Sequence, residues 1–259
     1  TNNQSGWLAT RTGPSAWKET KTPMVMVQGS LMRTPSGDLA ALVHHGTGST
    51  KAEFWRMTGG TWKKLDTIAA TLGAWPGSTR MDQGGCVHTM YEKGSVLAYA
   101  LRTNTWTQKA TMKGSSFFSL GLAPSGTPHL AYWDFKANGT MDLYWAAPPG
   151  KPAKLAAGTT SIFGPWRGFS TAVTAKGEVH ILTTNAPLSG SHEVSHIRRI
   201  GGAWSSETVA KMTGKYCGSG DCCSGSCYFD LRWPVPLAVV ASATGDVRLL
   251  YRDLRYQGK

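Results

Sequence analysis

The sequence predicts an all-β fold, a five-bladed β-propeller closed by pairing N-terminal strands into the C-terminal blade. Three observations carry this. A tryptophan closes a short Gly/Ser/Thr/Asn-containing turn in PSAW (Trp17), GGTW (Trp62), TNTW (Trp106) and GGAW (Trp204), at gaps of 45, 44 and 98 residues, the last about two periods. A period of roughly 40 to 50 residues with several short strands per unit is the signature of propeller blades. Tight-turn glycines recur in PSGD (Gly37), PSGT (Gly126), AKGE (Gly177) and ATGD (Gly245), each flanked by strand-like apolar residues. Finally, 31 glycines, 11 tryptophans and only 16% charged residues among 259 suit many hairpins rather than helices.

The elements follow in order. GWLATRTG and SAWKETKT read as two N-terminal strands, the second carrying Trp17. The next unit turns at Gly37 and ends on Trp62. In the unit after it, Gly85 lies 21 residues before Trp106, close to the 25 from Gly37 to Trp62 and the 27 from Gly177 to Trp204, so Gly84-Gly85 is the inner turn and Gly94 the next hairpin. A further unit reads as four strands, FFSLGLA, PHLAYWD, MDLYWAA and PAKLAAG, with Pro152 at the place of the repeat tryptophan. That substitution accounts for the doubled gap. The last stretch, PVPLAVVASATGDVRLLYRDLR, supplies only two strands. Pairing with the N-terminal pair completes a fifth blade and removes exposed sheet edges. Residues 1–259 therefore read as one domain, with a Cys-rich loop insertion at about 214–229, because Gly177 to Gly245 spans 68 residues against 51 from Gly126 to Gly177.

Gly59, Thr61 and Trp62 match the glycine, threonine and tryptophan of the box S-x-D-x-G-x-T-W, with Trp55 and Met57 where Ser and Asp would stand. On these residues, and on the blade pattern along the whole chain, the protein resembles secreted bacterial propellers related to the sialidase superfamily. The resemblance implies the propeller fold. The box is a structural turn and implies no glycosidase activity. Sialidases hold a substrate carboxylate with three arginines, which makes Arg80, Arg167 and Arg232 tempting counterparts, although these occupy unequal positions relative to their turns.

A net charge of +12 favours acidic partners, such as anionic glycans or cell-surface polymers. The basic residues are scattered and no nucleic-acid-binding signature appears, so nucleic acid is not the expected partner. No apolar run approaches the ~18 residues of a membrane span. Four cysteines, Cys217, Cys222, Cys223 and Cys227, crowd into YCGSGDCCSGSCYFD, a density suited to an oxidising compartment. Together with a start at Thr1, this leads us to expect an exported chain, either a mature form or an excised domain. Two disulfides within the cluster are expected, since cross-linking reduces the entropy lost on ordering a Gly/Ser loop. A zinc site of C-x4-C-C-x3-C spacing and a Cys222 to Cys223 bridge are the rivals. Cys86 remains as a free thiol, a partner to the cluster or a link to another chain. No cofactor and no metal site are expected, because the histidines form no close ligand set.

In a propeller, loops joining one blade to the next share a face with those between second and third strands, and function gathers there. That face collects HHGTGSTK, GAWPGSTR, WDFKANGT, FGPWRG, APLSGSH and the LRW that ends the insertion. Trp75, Trp166 and Trp233, with Phe117 at a similar place, either wedge between blades or offer stacking platforms to sugar rings. Arg80, Arg167, Arg232 and His45 are candidates for hydroxyl or anion contacts. Asp134 and Asp253 are the candidate carboxylates of a glycosidase, or turn-starting residues. His129 and His180 occupy matching strand positions and read as core groups. The sequence therefore points to a lectin-like protein binding a glycan or anionic polymer. The alternatives are a glycoside hydrolase or lyase on the same scaffold, and a protein-interaction module.

Overall fold

The computed structural model describes residues 5–25, 28–44, 51–69, 79–114, 117–137, 140–159, 169–185, 193–211, 235–242 and 244–252. A two-stranded sheet, β1 (Ser5–Arg11) and β2 (Trp17–Val25), comes first. Four four-stranded antiparallel sheets follow, each made of consecutive strands. The first sheet holds β3 (Gln28–Arg33), β4 (Leu39–His44), β5 (Lys51–Thr58) and β6 (Thr61–Ala69). The second holds β7 (Thr79–Met81), β8 (Val87–Lys93), β9 (Val96–Arg102) and β10 (Trp106–Lys113). The third holds β11 (Phe118–Leu122), β12 (Pro128–Phe135), β13 (Met141–Ala146) and β14 (Ala153–Thr159). The fourth holds β15 (Ser170–Val173), β16 (Val179–Asn185), β17 (Glu193–Ile200) and β18 (Ala203–Lys211). A last two-stranded sheet pairs β19 (Val235–Ala241) with β20 (Val247–Arg252). No helix among the described residues is long and apolar enough to cross a membrane.

The five expected inner turns share one hydrogen-bond pattern. Thr34 N–H donates to Asp38 O at 2.8 Å and Gly37 N–H donates back to Thr34 O at 2.9 Å. The pattern repeats around Asp82/Gly85/Cys86, Ala123/Gly126/Thr127, Thr174/Gly177/Glu178 and Ser242/Gly245/Asp246. Each glycine has φ between +80° and +93°, the left-handed region that a side chain disfavours. Gly85 is thus the inner turn of the second sheet. Gly94 turns the next hairpin, between β8 and β9.

Burial explains the radial order of strands. β4 and β12 are covered on both faces and almost uniformly buried, whereas β6, β10 and β18 are mostly exposed. The core lies between sheets rather than within one. Leu42 and Phe54 of the first sheet pack with Tyr91 and Ala98 of the second. Met90 and Leu97 meet Leu120 and Leu130 of the third, whose Trp133 and Leu143 meet Ile181 and Ile197 of the fourth. Inner strands approach closely: a Cβ on Gly121 would lie 3.1 Å from Thr171 and Val173 methyls across the seam.

The repeat tryptophans act at these seams. Trp106 stands edge-on to Phe54 of the preceding sheet at 6.3 Å, and Trp204 to Trp145 at 5.4 Å. Pro152 directly precedes β14, so the third sheet lacks this indole. The terminal hairpins flank the row of sheets. Met24 of β2 packs on Ala41 and Val43 of the first sheet, and Val239, Val247 and Leu249 pack on Leu182 and Val194 of the fourth. Among the described residues the two hairpins are separate two-stranded sheets, β1–β2 and β19–β20.

Candidate functional site

The predicted site residues divide sharply. Trp75, Trp166, Arg167, Arg232, Trp233, His45 and Asp253 lie outside the described residues, as do Cys217, Cys222, Cys223 and Cys227. Arg80, Asp134, Phe117 and Cys86 are described. The strand boundaries correct two expected loops: Thr79 and Arg80 belong to β7, and β12 runs through Trp133, Asp134 and Phe135. Phe117 is a wedge, buried against the third and fourth sheets and 5.8 Å from Phe135. Cys86 is a half-buried free thiol, raised in pKa by burial and by the adjacent Asp82 carboxylate.

Asp134 is a buried strand residue, not the start of a turn. It stands directly opposite Asp142 in the β12–β13 ladder. Two buried carboxylates in register would repel one another, and lysines offset this. Lys136 bonds Asp134 and lies 3.5 Å from Asp142, which Lys154 also reaches at 2.8 Å. These bonds hold both ammonium groups above their ordinary pKa. Asp134 is therefore occupied by a structural ion-pair network. Arg80 sits opposite His88 on the inner strand and donates to Thr79 O at 3.0 Å. No carboxylate pairs with it among the described residues, and burial lowers its pKa.

Sequence reasoning missed a cleft of about 210 Å³ between the third and fourth sheets. Trp133, Leu143, Leu155 and Ala156 form one wall; Thr183, Ser195, Ile197, Trp204, Ser205 and Ser206 form the other. None of these side chains is ionisable. The cleft therefore combines indole and aliphatic surface with hydroxyls. Thr183 Oγ1 is fully buried without a partner among the described residues, an arrangement that costs stability unless something bonds it. Alternation along β17 and β18 places Ser195, Ile197, Trp204 and Ser206 on one face, while Ser205 turns to the other and accepts from Arg198 Nε at 3.2 Å. The one sequence signal was the pair Ser205-Ser206 beside a repeat tryptophan on a polar outer strand.

The described histidines, His44, His88, His129, His180 and His196, hold core positions. His88 Nδ1 lies 2.7 Å from Tyr99 Oη and its Nε2 3.1 Å from Asp82. His129 packs on Trp145 at 5.7 Å, and burial pushes its pKa down to about 4. His180 and His196 stack at 5.2 Å and hydrogen-bond at 3.0 Å, with His196 also 2.8 Å from Glu207. No group of three or more ligands that could hold a metal is present among the described residues.

No protein-family model matches the chain, and no curated protein matches it. Solved structures do. The chain is similar to AofleA from Arthrobotrys oligospora, at 14% identity and a TM-score of 0.53, over 82% of this chain and 66% of that one. It is also similar to an Aleuria aurantia lectin variant in complex with Fucα1-6GlcNAc, at 12% identity and a TM-score of 0.54, over 87% and 71% of the two chains. The SapL1 lectin in complex with α-methyl fucoside matches at 9% identity and a TM-score of 0.52, over 96% and 88%. The chain thus spans about two thirds of the length of AofleA. A further structure of the Aleuria aurantia lectin, with a TM-score of 0.52 and 10% identity, is described as a six-bladed β-propeller. At these identities the likeness shows the fold, a β-propeller.

Proposed function

We propose that this protein is a lectin-like glycan-binding propeller, and that the cleft between its third and fourth sheets receives one sugar ring. The neutral, indole-walled, hydroxyl-lined cavity carries this reading. Sugar rings present C–H faces to indoles and hydroxyls to Thr and Ser, and the volume falls below the roughly 300–1,000 Å³ of pockets for larger ligands. Fucose is the first sugar to test, because the lectins of similar fold were solved with fucosides. The loop face, with Trp75, Trp166, Arg167, Arg232, Trp233 and His45, and Arg80 of β7 beside it, is proposed to engage the rest of a glycan or an anionic surface polymer.

The wider frame belongs to the same proposal: one domain over 1–259, export, two disulfides among Cys217, Cys222, Cys223 and Cys227, and a ring of five blades. Exposed apolar side chains support closure. Leu31 on the first sheet and Val240 and Leu250 on the C-terminal hairpin are 58%, 55% and 59% exposed, on faces that a closed ring would cover. A hydrolase reading rests on Asp134 and Asp253; Lys136 already pairs with the first, and the second lies outside the described residues.

Glycan-array binding, followed by titration with the best saccharide, tests the function. Thr183→Val and Ser206→Ala are expected to weaken binding about tenfold each, the scale of one hydrogen bond. Asp134→Asn is expected to leave affinity unchanged. Turnover of a glycan, lost in Asp134→Asn, would replace the lectin reading with the enzymatic one.

A further inference from the structure

One cross-strand pair occurs three times. Trp106 stands opposite Arg102, Trp204 opposite Arg199, and Trp17 opposite Arg11. Two of the pairs close on a ring of the preceding sheet. The Arg102 guanidinium lies 4.7 Å from the Phe54 centroid, beside Trp106; that of Arg199 lies 5.0 Å from Trp145, beside Trp204. Arg102 also pairs with Asp66 of the preceding sheet at 3.1 Å. The receiving rings share one repeat position. Phe54 faces Leu42 and Trp145 faces Ala131, each five residues beyond its turn glycine, Gly37 or Gly126. The same count from Gly177 reaches Leu182, whose partner on β17 is His196.

The third pair meets no ring or carboxylate of another sheet among the described residues, and Arg11 Nη2 donates to Pro14 O of its own turn. Trp17 is 63% exposed, and Arg11 Nε donates at 2.9 Å to Gly13 O within its own turn. At the matching receptor, His196 is buried against His180, and its Nδ1 meets Glu207, whose side chain is 55% exposed. Glu207 offers Arg11 the carboxylate that Asp66 offers Arg102.

We propose that Arg11 and Trp17 form the clasp that locks the ring shut, seating on His196 and Glu207 of the fourth sheet; this rests on the five-blade closure proposed above. The occupant is the chain's own N-terminal hairpin. That hairpin already stands on the open side of the first sheet through Met24, and the C-terminal hairpin stands on the open side of the fourth, so a merged blade turns β1 and β2 toward β17 and β18. A planar guanidinium suits this seat because it stacks on a ring while forking onto a carboxylate.

The test combines amide exchange, solution mass and urea midpoints on the full chain. Slow exchange along β1 and β20 in a monomer, with Trp17→Ala and Arg11→Ala both lowering the midpoint, is expected. The Arg11→Ala, Glu207→Gln double variant should shift the midpoint by less than the sum of the single shifts. Slow exchange with unchanged midpoints for Trp17→Ala and Arg11→Ala leaves closure standing and overturns the clasp. Fast exchange along β1 and β20 overturns closure and the clasp with it. A dimer that dissociates on Trp17→Ala overturns the single-chain assignment and makes a second copy the occupant.

Discussion

Thr183 and His129 show how single side chains divide between binding and stability. Thr183 keeps a hydroxyl with no partner among the described residues, so Thr183→Val is expected to leave thermal stability equal or raised while it weakens sugar binding. A variant that melts lower by several degrees would show that the hydroxyl serves the fold. His129 behaves oppositely. Its imidazole, buried on Trp145 and near the Arg199 charge, takes a proton only at about pH 4, against 6.5 for the unburied group. Between these values the unfolded chain holds more protons, so stability is full above pH 6.5 and falls as pH drops towards 4. The loss is on the order of 2 kcal/mol after allowance for solvent screening. Urea midpoints from pH 7 to 4 should decline, and His129→Leu should flatten that decline. The core role of His129 and His180 was legible in the sequence from their matching strand positions. The ion-pair role of Asp134 was not: Lys136 lies only two residues on, but Asp142 meets Asp134 through the β12–β13 register and Lys154 reaches Asp142 from β14.

The inner hairpin is the element on which repetition rests. All five turn glycines adopt the same left-handed conformation with the same pair of hydrogen bonds. At Gly177 an added Cβ meets nothing within 4 Å, so Gly177→Ala isolates backbone strain and should cost about 1 kcal/mol. At Gly126 the added Cβ would lie 3.1 Å from Asp82 Oδ2 in the neighbouring sheet, so Gly126→Ala should cost more. Equal unfolding midpoints for the two variants would contradict that difference. The spacing to the repeat tryptophan identified Gly85 over Gly94 as the inner turn. Local chemistry suffices there, since φ, turn type and residue choice are coupled within a few residues.

For the whole molecule, the charge of +12 separates the two proposed binding surfaces. A single sugar held in the uncharged cleft should bind with equal affinity in low and high salt. An anionic polymer on the arginine-bearing loops should weaken as salt rises. Titrations at two ionic strengths check this, and strong salt dependence for the monosaccharide would move its site to the loops. The all-β class, the strand order of the third sheet, the two half-sheets at the ends and the inner turns were determined by the sequence itself, because periodicity and turn residues act over a few positions. Only the tertiary structure decided the cleft. Its lining comes from β12, β13, β14, β16, β17 and β18, and Trp133 and Ser206 lie 73 residues apart. Such a surface forms when two sheets pack face to face, and no local pattern records which side chains a seam will bring together.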